Sequence, residues 1–303
     1  MKLSDLSRAR LVTCLRGEGV WLSLSPFVVC IQSDVPALAD RLIEMYADFA
    51  LVPSGAFADF HIELRRGRGL RRWIRPQVDF HFDGVPTFHP LPLDQAYPML
   101  EWGLNWCIAS HAHQYLIVHA AVVERSGKAV IMPAPPGAGK STLCAALVHR
   151  GWRLLSDELA LLDVDSGHVI PLARPINLKN RSIEIIRRFA PDAVLTPPVH
   201  DTRKGRVALL RPPADSVRRI DEPAMPAWIV FPKYQAGTQA CFRPFSKGQT
   251  CLRIAQESFN YDIHGRAGFE ILTRMLDHCD CYEFSYGELE DAMQAFAALA
   301  ASS

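Results

Sequence analysis

The sequence predicts an α/β fold, a phosphate-loop domain preceded by a small α+β domain. Three observations predict it. Ala129–Met132 is an apolar run that enters Ala134-Pro-Pro-Gly-Ala-Gly-Lys140-Ser141 and leaves as a helix-forming stretch stopped by Gly151. Beyond residue 91, short apolar runs alternate with segments of helical spacing. Before it, strand-like runs and turn residues surround an amphipathic helix. Pro90–Pro92 marks the boundary, giving domains 1–90 and 91–303.

The chain has 303 residues, 49% apolar and 21% charged, enough for one large core or two modest ones. A net charge of +1 gives no reason to expect nucleic acid or an anionic membrane as partner. No apolar run approaches a membrane span. Asp5, Arg8 and Arg10 interrupt the N-terminal stretch, so a signal-peptide core is not expected. Eight cysteines occur without a CxxC spacing, which suits reduced thiols in a cytoplasmic protein. Cys279-Asp-Cys281 offers two ligands, too few for zinc.

Val20–Gln32 reads as one or two strands broken by Pro26, and Val35–Phe49 carries Leu38, Leu42, Ile43, Tyr46 and Phe49 at helical spacing. Asp59–Arg65 alternates as a strand. Arg65–Arg75 is a basic turn, and Gln77–Phe82 with Val85–His89 makes a hairpin around Asp83-Gly84. Leu93–His111 is a long apolar helix. Tyr115–Glu124 and Ala129–Met132 form a hairpin whose second arm feeds the glycine loop. Trp152–Ser156 is a strand ending at Asp157-Glu158, and Ala160–Val164 with His168–Leu172 forms another hairpin. Ser182–Phe189 is helical. Ala190–Pro226 is rich in Pro and Arg, weak in periodicity, and expected to be a long irregular loop of the kind that serves as a lid. Trp228–Pro232 is a buried strand, Cys251–Phe259 and Phe269–Leu276 are helices, Cys281–Tyr286 a strand and Leu289–Ala301 a closing helix.

The chemistry gathers at the loop. Gly137 and Gly139 let backbone N–H groups around Pro136 and Ala138 turn inward on phosphate oxygens. The helix that starts with Lys140, Ser141 and Thr142 adds its N-terminal partial charge. Lys140 reaches the outer phosphates, and Ser141 can hold Mg²⁺. Asp157-Glu158 ends the very next strand, where one carboxylate can hold Mg²⁺ and the other take a proton from a hydroxyl. A solvated strand-end pair is the bland alternative. His119 interrupts the apolar strand that pairs with the loop-bearing one. It reads either as a core histidine or as a side chain near the phosphates.

Val118-His119-Ala-Ala-Val-Val, Ala129-Val-Ile-Met, Pro136-Gly-Ala-Gly-Lys140-Ser141 and Gly151-Trp-Arg-Leu-Leu-Ser-Asp157-Glu158 together resemble the catalytic domain of the HPr kinase/phosphorylase family. The likeness is closest to the branch associated with peptide-modification systems. It covers Leu116–Asp163, with Arg174-Pro-Ile-Asn-Leu-Lys, Ser258-Phe-Asn-Tyr261 and Gly268-Phe269 as further points of similarity. The resemblance implies a fold of the HPr kinase/phosphoenolpyruvate carboxykinase type, with ATP and Mg²⁺ as cofactors. It implies Asp157 as general base, Glu158 with Ser141 as metal ligands, and His119 as support for the base. No Glu-Val-Arg-Gly-Leu-Gly signature follows, so phosphorylase activity and HPr as acceptor lie outside it. Positive charge for a transition state would come from Arg174, Lys179, Arg203, Lys204 and Arg206.

These readings lead to an expected ATP- and Mg²⁺-dependent kinase whose acceptor is a serine-type hydroxyl of a peptide, small protein or related small molecule. Two rivals stand beside it: a metabolite kinase of the shikimate or gluconate type, and a nucleotide-gated binding protein of a peptide-maturation complex. The upstream histidine hairpin argues against the metabolite kinase. A homo-oligomer is left open.

Overall fold

The computed structural model describes residues 1–69, 73–135 and 137–301. Three sheets organise the described residues into a mixed α/β structure. In the basic turn, Leu70–Arg72 lie outside the described residues.

The first sheet is built from the N-terminal third. Helix α1 (Arg8–Arg16) is capped by Ser7 and precedes the hairpin β1 (Val20–Leu24) and β2 (Phe27–Ser33). Helix α2 (Ala37–Met45) crosses to β3 (Phe60–Arg66), which runs parallel to β2. Strands β4 (Gln77–Phe82), β5 (Val85–Pro86) and β6 (Leu91–Pro92) complete it. Helix α3 (Ala96–His111) buries most of its length, as its nearly continuous apolar sequence requires. It shares a core with this sheet: Leu100, Leu104 and Ile108 join Phe80, Val78 and Leu64 there, with Ile117, Leu159 and Leu209 from the following region.

The members of the second sheet are β7 (Tyr115–Arg125), β8 (Lys128–Pro133), β9 (Arg153–Ser156), β10 (Leu159–Asp163), β11 (Val169–Ile170), β15 (Met225–Tyr234), β16 (Cys241–Pro244) and β17 (Asp280–Tyr286). Their order is β11-β10-β7-β8-β15-β17-β16, with β9 also paired to β7. Strands β8, β15 and β17 are mutually parallel. Strands β8 and β15, buried on both faces through most of their length, read as apolar runs, whereas β17 alternates. One face is covered by α4 (Lys140–Val148), α5 (Arg181–Phe189) and α10 (Leu289–Ala301), the other by α7 (Lys247–Gln256) and α9 (Arg266–Asp277). A one-turn helix α8 (Tyr261–His264) leads into α9. No helix among the described residues is long and apolar enough to cross a membrane.

The long segment expected to be irregular is ordered instead. Strand β12 (Ile176–Lys179) pairs with β14 (Gly205–Leu210), which pairs with β13 (Val199–Thr202), and α6 (Ala214–Arg218) follows. Val199-His-Asp-Thr202 is exposed at its two central residues and lacks an apolar face, so alternation could not signal it. The tight turn at Arg203-Lys204 closes with Thr202 Oγ1 donating to the Gly205 carbonyl at 2.6 Å.

A β-carbon at Gly103 would stand 2.0 Å from Phe80 Cε2 in this packed core. Gly103→Ala should therefore destabilise the protein by about 1–2 kcal/mol, despite a helix-propensity gain of about 1 kcal/mol. Gly248→Ala, in α7 with nothing near its added methyl, should be neutral or stabilising. Denaturant midpoints for both variants check this; equal shifts would contradict the packing.

Candidate functional site

Strand β8 delivers the chain into the loop at residues 134–139, and α4 starts directly at Lys140. Gly137 and Gly139 have φ of 90° and 95°, which only glycine adopts without strain. Gly139 has a second reason to lack a side chain. A β-carbon there would lie 2.8 Å from Tyr286 Oη and 3.4 Å from Tyr234 Cβ. The C-terminal ends of β15 and β17 hold the loop: Tyr234 N–H donates to the Ala138 carbonyl and Tyr286 Oη to the Gly139 carbonyl, both at 3.4 Å. Pro136 lies outside the described residues. Ser141 and Thr142 form the first turn of α4 and are half-buried. Backbone amides at a helix start, beside a lysine, form an arrangement suited to an anion, although Ala138 N–H here donates to the Pro135 carbonyl at 3.3 Å.

Lys140 is buried, and burial lowers its pKa to about 8. Its Nζ donates to the Ala134 carbonyl and lies 3.1 Å from His119 Nε2. His119 Nδ1 in turn faces Glu257 Oε2 at 3.3 Å. An ammonium only donates and a carboxylate only accepts, which assigns the neutral tautomer with its proton on Nδ1. Burial, followed by the Lys140 charge, lowers the His119 pKa, in keeping with a neutral ring. Glu257 and Asn260 come from a segment that follows β7: His119 N–H donates to the Glu257 carbonyl, Phe259 N–H to the Ile117 carbonyl, and Ile117 N–H to Asn260 Oδ1.

The carboxylates divide their partners. Ser141 Oγ donates to Asp157 Oδ2 at 3.2 Å, and Asn177 N–H donates to the same oxygen at 3.0 Å. Asp157 is 6% exposed, and burial, followed by the charge of Glu158, raises its pKa to about 6. Glu158 does not share the Ser141 contact. Asn105 Nδ2 donates to its Oε2, and Lys179 Nζ lies 3.9 Å from its Oε1. Arg174, also buried, donates from Nη2 to Asn105 Oδ1 and places Nη1 3.8 Å from Glu101 Oε2. A cavity of about 20 Å³, room for a water-sized group, lies between Asp157, Glu158, Arg174, Asn177, Glu101 and Asn105. Asp157 Oδ1, Asn177 Oδ1 and Arg174 Nε and Nη1 are buried without a hydrogen-bond partner.

Lys204 stands at the rim, its Nζ 5.0 Å from the Trp102 ring centroid and under the charges of Glu158, Lys179 and Asp157. Arg203 is exposed, and Arg206 turns to Glu184 and the Asn180 carbonyl. The structure thus gathers His119, Lys140, Ser141, Asp157, Glu158 and Arg174, with Lys179 and Lys204 beside them, and commits Arg206 elsewhere. Glu101, Asn105, Asn177 and Glu257 escaped the sequence reading. Glu101 and Asn105 left one trace there: polar residues four apart in an otherwise apolar helix. Among the described residues no group of three or more His, Cys, Asp or Glu could hold a metal ion. Cys279 and Cys281 are buried thiols, and burial pushes the pKa of Cys279 up to about 12.

Residues 99–175 match a family model described as SynChlorMet cassette protein ScmC. The matched stretch opens inside α3 and closes just after Arg174, so it spans Glu101, Asn105, His119, the glycine loop and both carboxylates. No curated protein matches the chain.

The folded state holds the proton of Asp157 more tightly than the unfolded chain, whose pKa is near 3.8. The stability this contributes is full below that value and is lost as pH rises through about 6. Asp157→Asn keeps an acceptor for Ser141 and Asn177 and cannot titrate. Relative to wild type it should gain roughly 1–3 kcal/mol between pH 4 and pH 7, measured by denaturant unfolding. A difference that stays flat over that range would contradict the burial of this carboxylate.

Proposed function

We propose that the chain is a P-loop kinase of the HPr-kinase-like type, using ATP and Mg²⁺ to phosphorylate a hydroxyl of a peptide, small protein or related small molecule. One observation carries the reading. A glycine loop between a parallel strand and a helix presents Lys140 and Ser141, and Ser141 faces a buried carboxylate whose pKa is raised to about 6. The description of the matching family as a cassette protein agrees with an acceptor made by a neighbouring gene.

The residues present fit Mg²⁺. Asp157 Oδ1 is an orphaned acceptor beside the Ser141 hydroxyl. Mg²⁺ is commonly held by one or two carboxylates together with substrate phosphates and water. Ser141 with a carboxylate of the Asp157-Glu158 pair would hold it, and when bound it neutralises phosphate charge. The remaining work falls to the chain. Loop amides at Gly137, Ala138 and Gly139 bind phosphate oxygens, and Lys140 exchanges the Ala134 carbonyl for the outer phosphates. Asp157 accepts the proton of the attacking hydroxyl, a task that suits a carboxylate raised toward neutrality. His119, neutral between Lys140 and Glu257, fixes the direction of the lysine. Arg174 and Lys204 add positive charge as it is needed in the transition state.

The Ser141–Asp157 hydrogen bond also favours a second assignment, with Asp157 as the metal ligand. Asp157→Asn separates the two. With Asp157 as base, transfer from γ-labelled ATP falls by about 10²–10⁴ while ATP affinity and the Mg²⁺ concentration for half-maximal rate stay put. A raised Mg²⁺ requirement assigns the metal to Asp157. Wild-type turnover by the variant with a genuine acceptor overturns both assignments.

A further inference from the structure

Helix α3 belongs to the core of the first sheet, yet it reaches the site with two side chains one turn apart, Glu101 and Asn105. Glu101 is anchored on its own side, where Tyr46 Oη donates to its Oε1 at 2.7 Å. Asn105 lies between two charged groups. Its Oδ1 accepts from Arg174 Nη2, and its Nδ2 donates to Glu158 Oε2. A guanidinium only donates and a carboxylate only accepts, so both bonds together fix which way the amide points.

We propose that Asn105 is a positioning residue, whose amide sets Glu158 and Arg174 in one fixed arrangement around the cavity beside Asp157. This rests on the kinase reading for what Glu158 and Arg174 do. The physical case is that both charged groups are constrained from the same small side chain. Arg174 gives Nη2 to Asn105 and keeps Nε and Nη1 without a hydrogen bond, Nη1 standing 3.8 Å from Glu101 Oε2, and it lines a single cavity with Asp157 and Asn177, whose Oδ1 atoms also lack a hydrogen-bond partner. Glu158, held by Asn105 and Lys179, is kept off the Ser141 hydroxyl, which Asp157 takes alone. An amide is the side chain that can accept from a guanidinium and donate to a carboxylate at this reach. Asp lacks the donor and Leu lacks both groups. Helix α3, packed in the core of the first sheet, thereby contributes Asn105 beside Glu101 to the geometry of a site whose remaining residues follow it in the chain.

Asn105→Asp keeps the oxygen offered to Arg174 and sets a carboxylate against Glu158. The readouts are ATP turnover in Mg²⁺ by the full chain and calorimetric binding of ATP. The expected result is a kcat lowered by about tenfold or more, the order of coupling between contacting side chains. The KM for ATP and the number of ATP bound per chain should be unchanged, which loss of folded protein would not allow. Adding Glu158→Gln restores a donor opposite the new carboxylate, so in that background Asn105→Asp should cost less than about twofold. Equal losses in the two backgrounds overturn the proposal. If Asn105→Asp also lowers the number of ATP bound, Asn105→Ala takes its place: a lowered kcat at full ATP binding supports the role, and wild-type kcat overturns it. A wild-type chain that binds no ATP overturns the kinase reading and this role with it, whereas wild-type turnover with equal losses overturns the role of Asn105 alone.

Discussion

Strand β7 is bonded to the strand that delivers the glycine loop, to both strands that flank Asp157 and Glu158, and to the segment of Glu257. Over residues 120–125 it pairs with β8, which carries the glycine loop, and over 122–124 with β9 on the opposite edge. Over residues 115–119 it pairs with β10, with His119 opposite Leu159, and its other edge takes the segment from Glu257 to Asn260. The turn carrying Asp157 and Glu158 lies between β9 and β10, so it runs along the edge of β7 between Val122 and His119. Strand side chains alternate faces, and a slip of one residue in β7 would send His119 to the other face. The apolar residues Leu116, Val118, Ala120 and Val122 on one side and Ala121 and Val123 on the other lock that register into two cores.

Burial then sets the electrostatics. It raises the Asp157 carboxylate and lowers Lys140 and His119, all against their charged forms. Lys140 lies against a backbone carbonyl and an imidazole rather than a full counter-charge, and Asp157 keeps one oxygen without a partner. Groups arranged this way favour a ligand that brings negative charge to the lysine and a cation or donor to the carboxylate. A ligand of that kind would satisfy a cluster that is unfavourable by itself, and functional sites commonly depart from the stability optimum in this way.

Much of this was legible in the chain. The β7–β8 hairpin and α4 announce themselves through an apolar run, glycines that free the backbone, and Gly151 after the helix. Asp157 and Glu158 stand out because they end a short apolar strand. The mixed α/β class follows from the same punctuation. What was hidden had physical reasons. The hairpin β13–β14 turns on Arg203 and Lys204 and has a polar, exposed first strand, so it reads as an irregular basic loop. Arg206 shares that run of cations, and only the fold shows it committed to Glu184. Asn105 sits between apolar neighbours in a helix dominated by packing, and its partners are 53 and 69 positions away in sequence. Glu257 closes an ordinary amphipathic helix, and its link to His119 depends on a pairing across 138 positions.

The proposed kinase chemistry depends on the glycine loop and Lys140 holding the phosphates of a nucleotide. Titration calorimetry of ATP with Mg²⁺ into wild type and into Lys140→Ala tests it most directly. The expected result is one ATP per chain for wild type and an affinity reduced by about tenfold or more in the variant, the loss of a charge-assisted contact worth roughly 1.5–3 kcal/mol. Equal affinity in the two proteins, or no heat of binding in wild type, would contradict it.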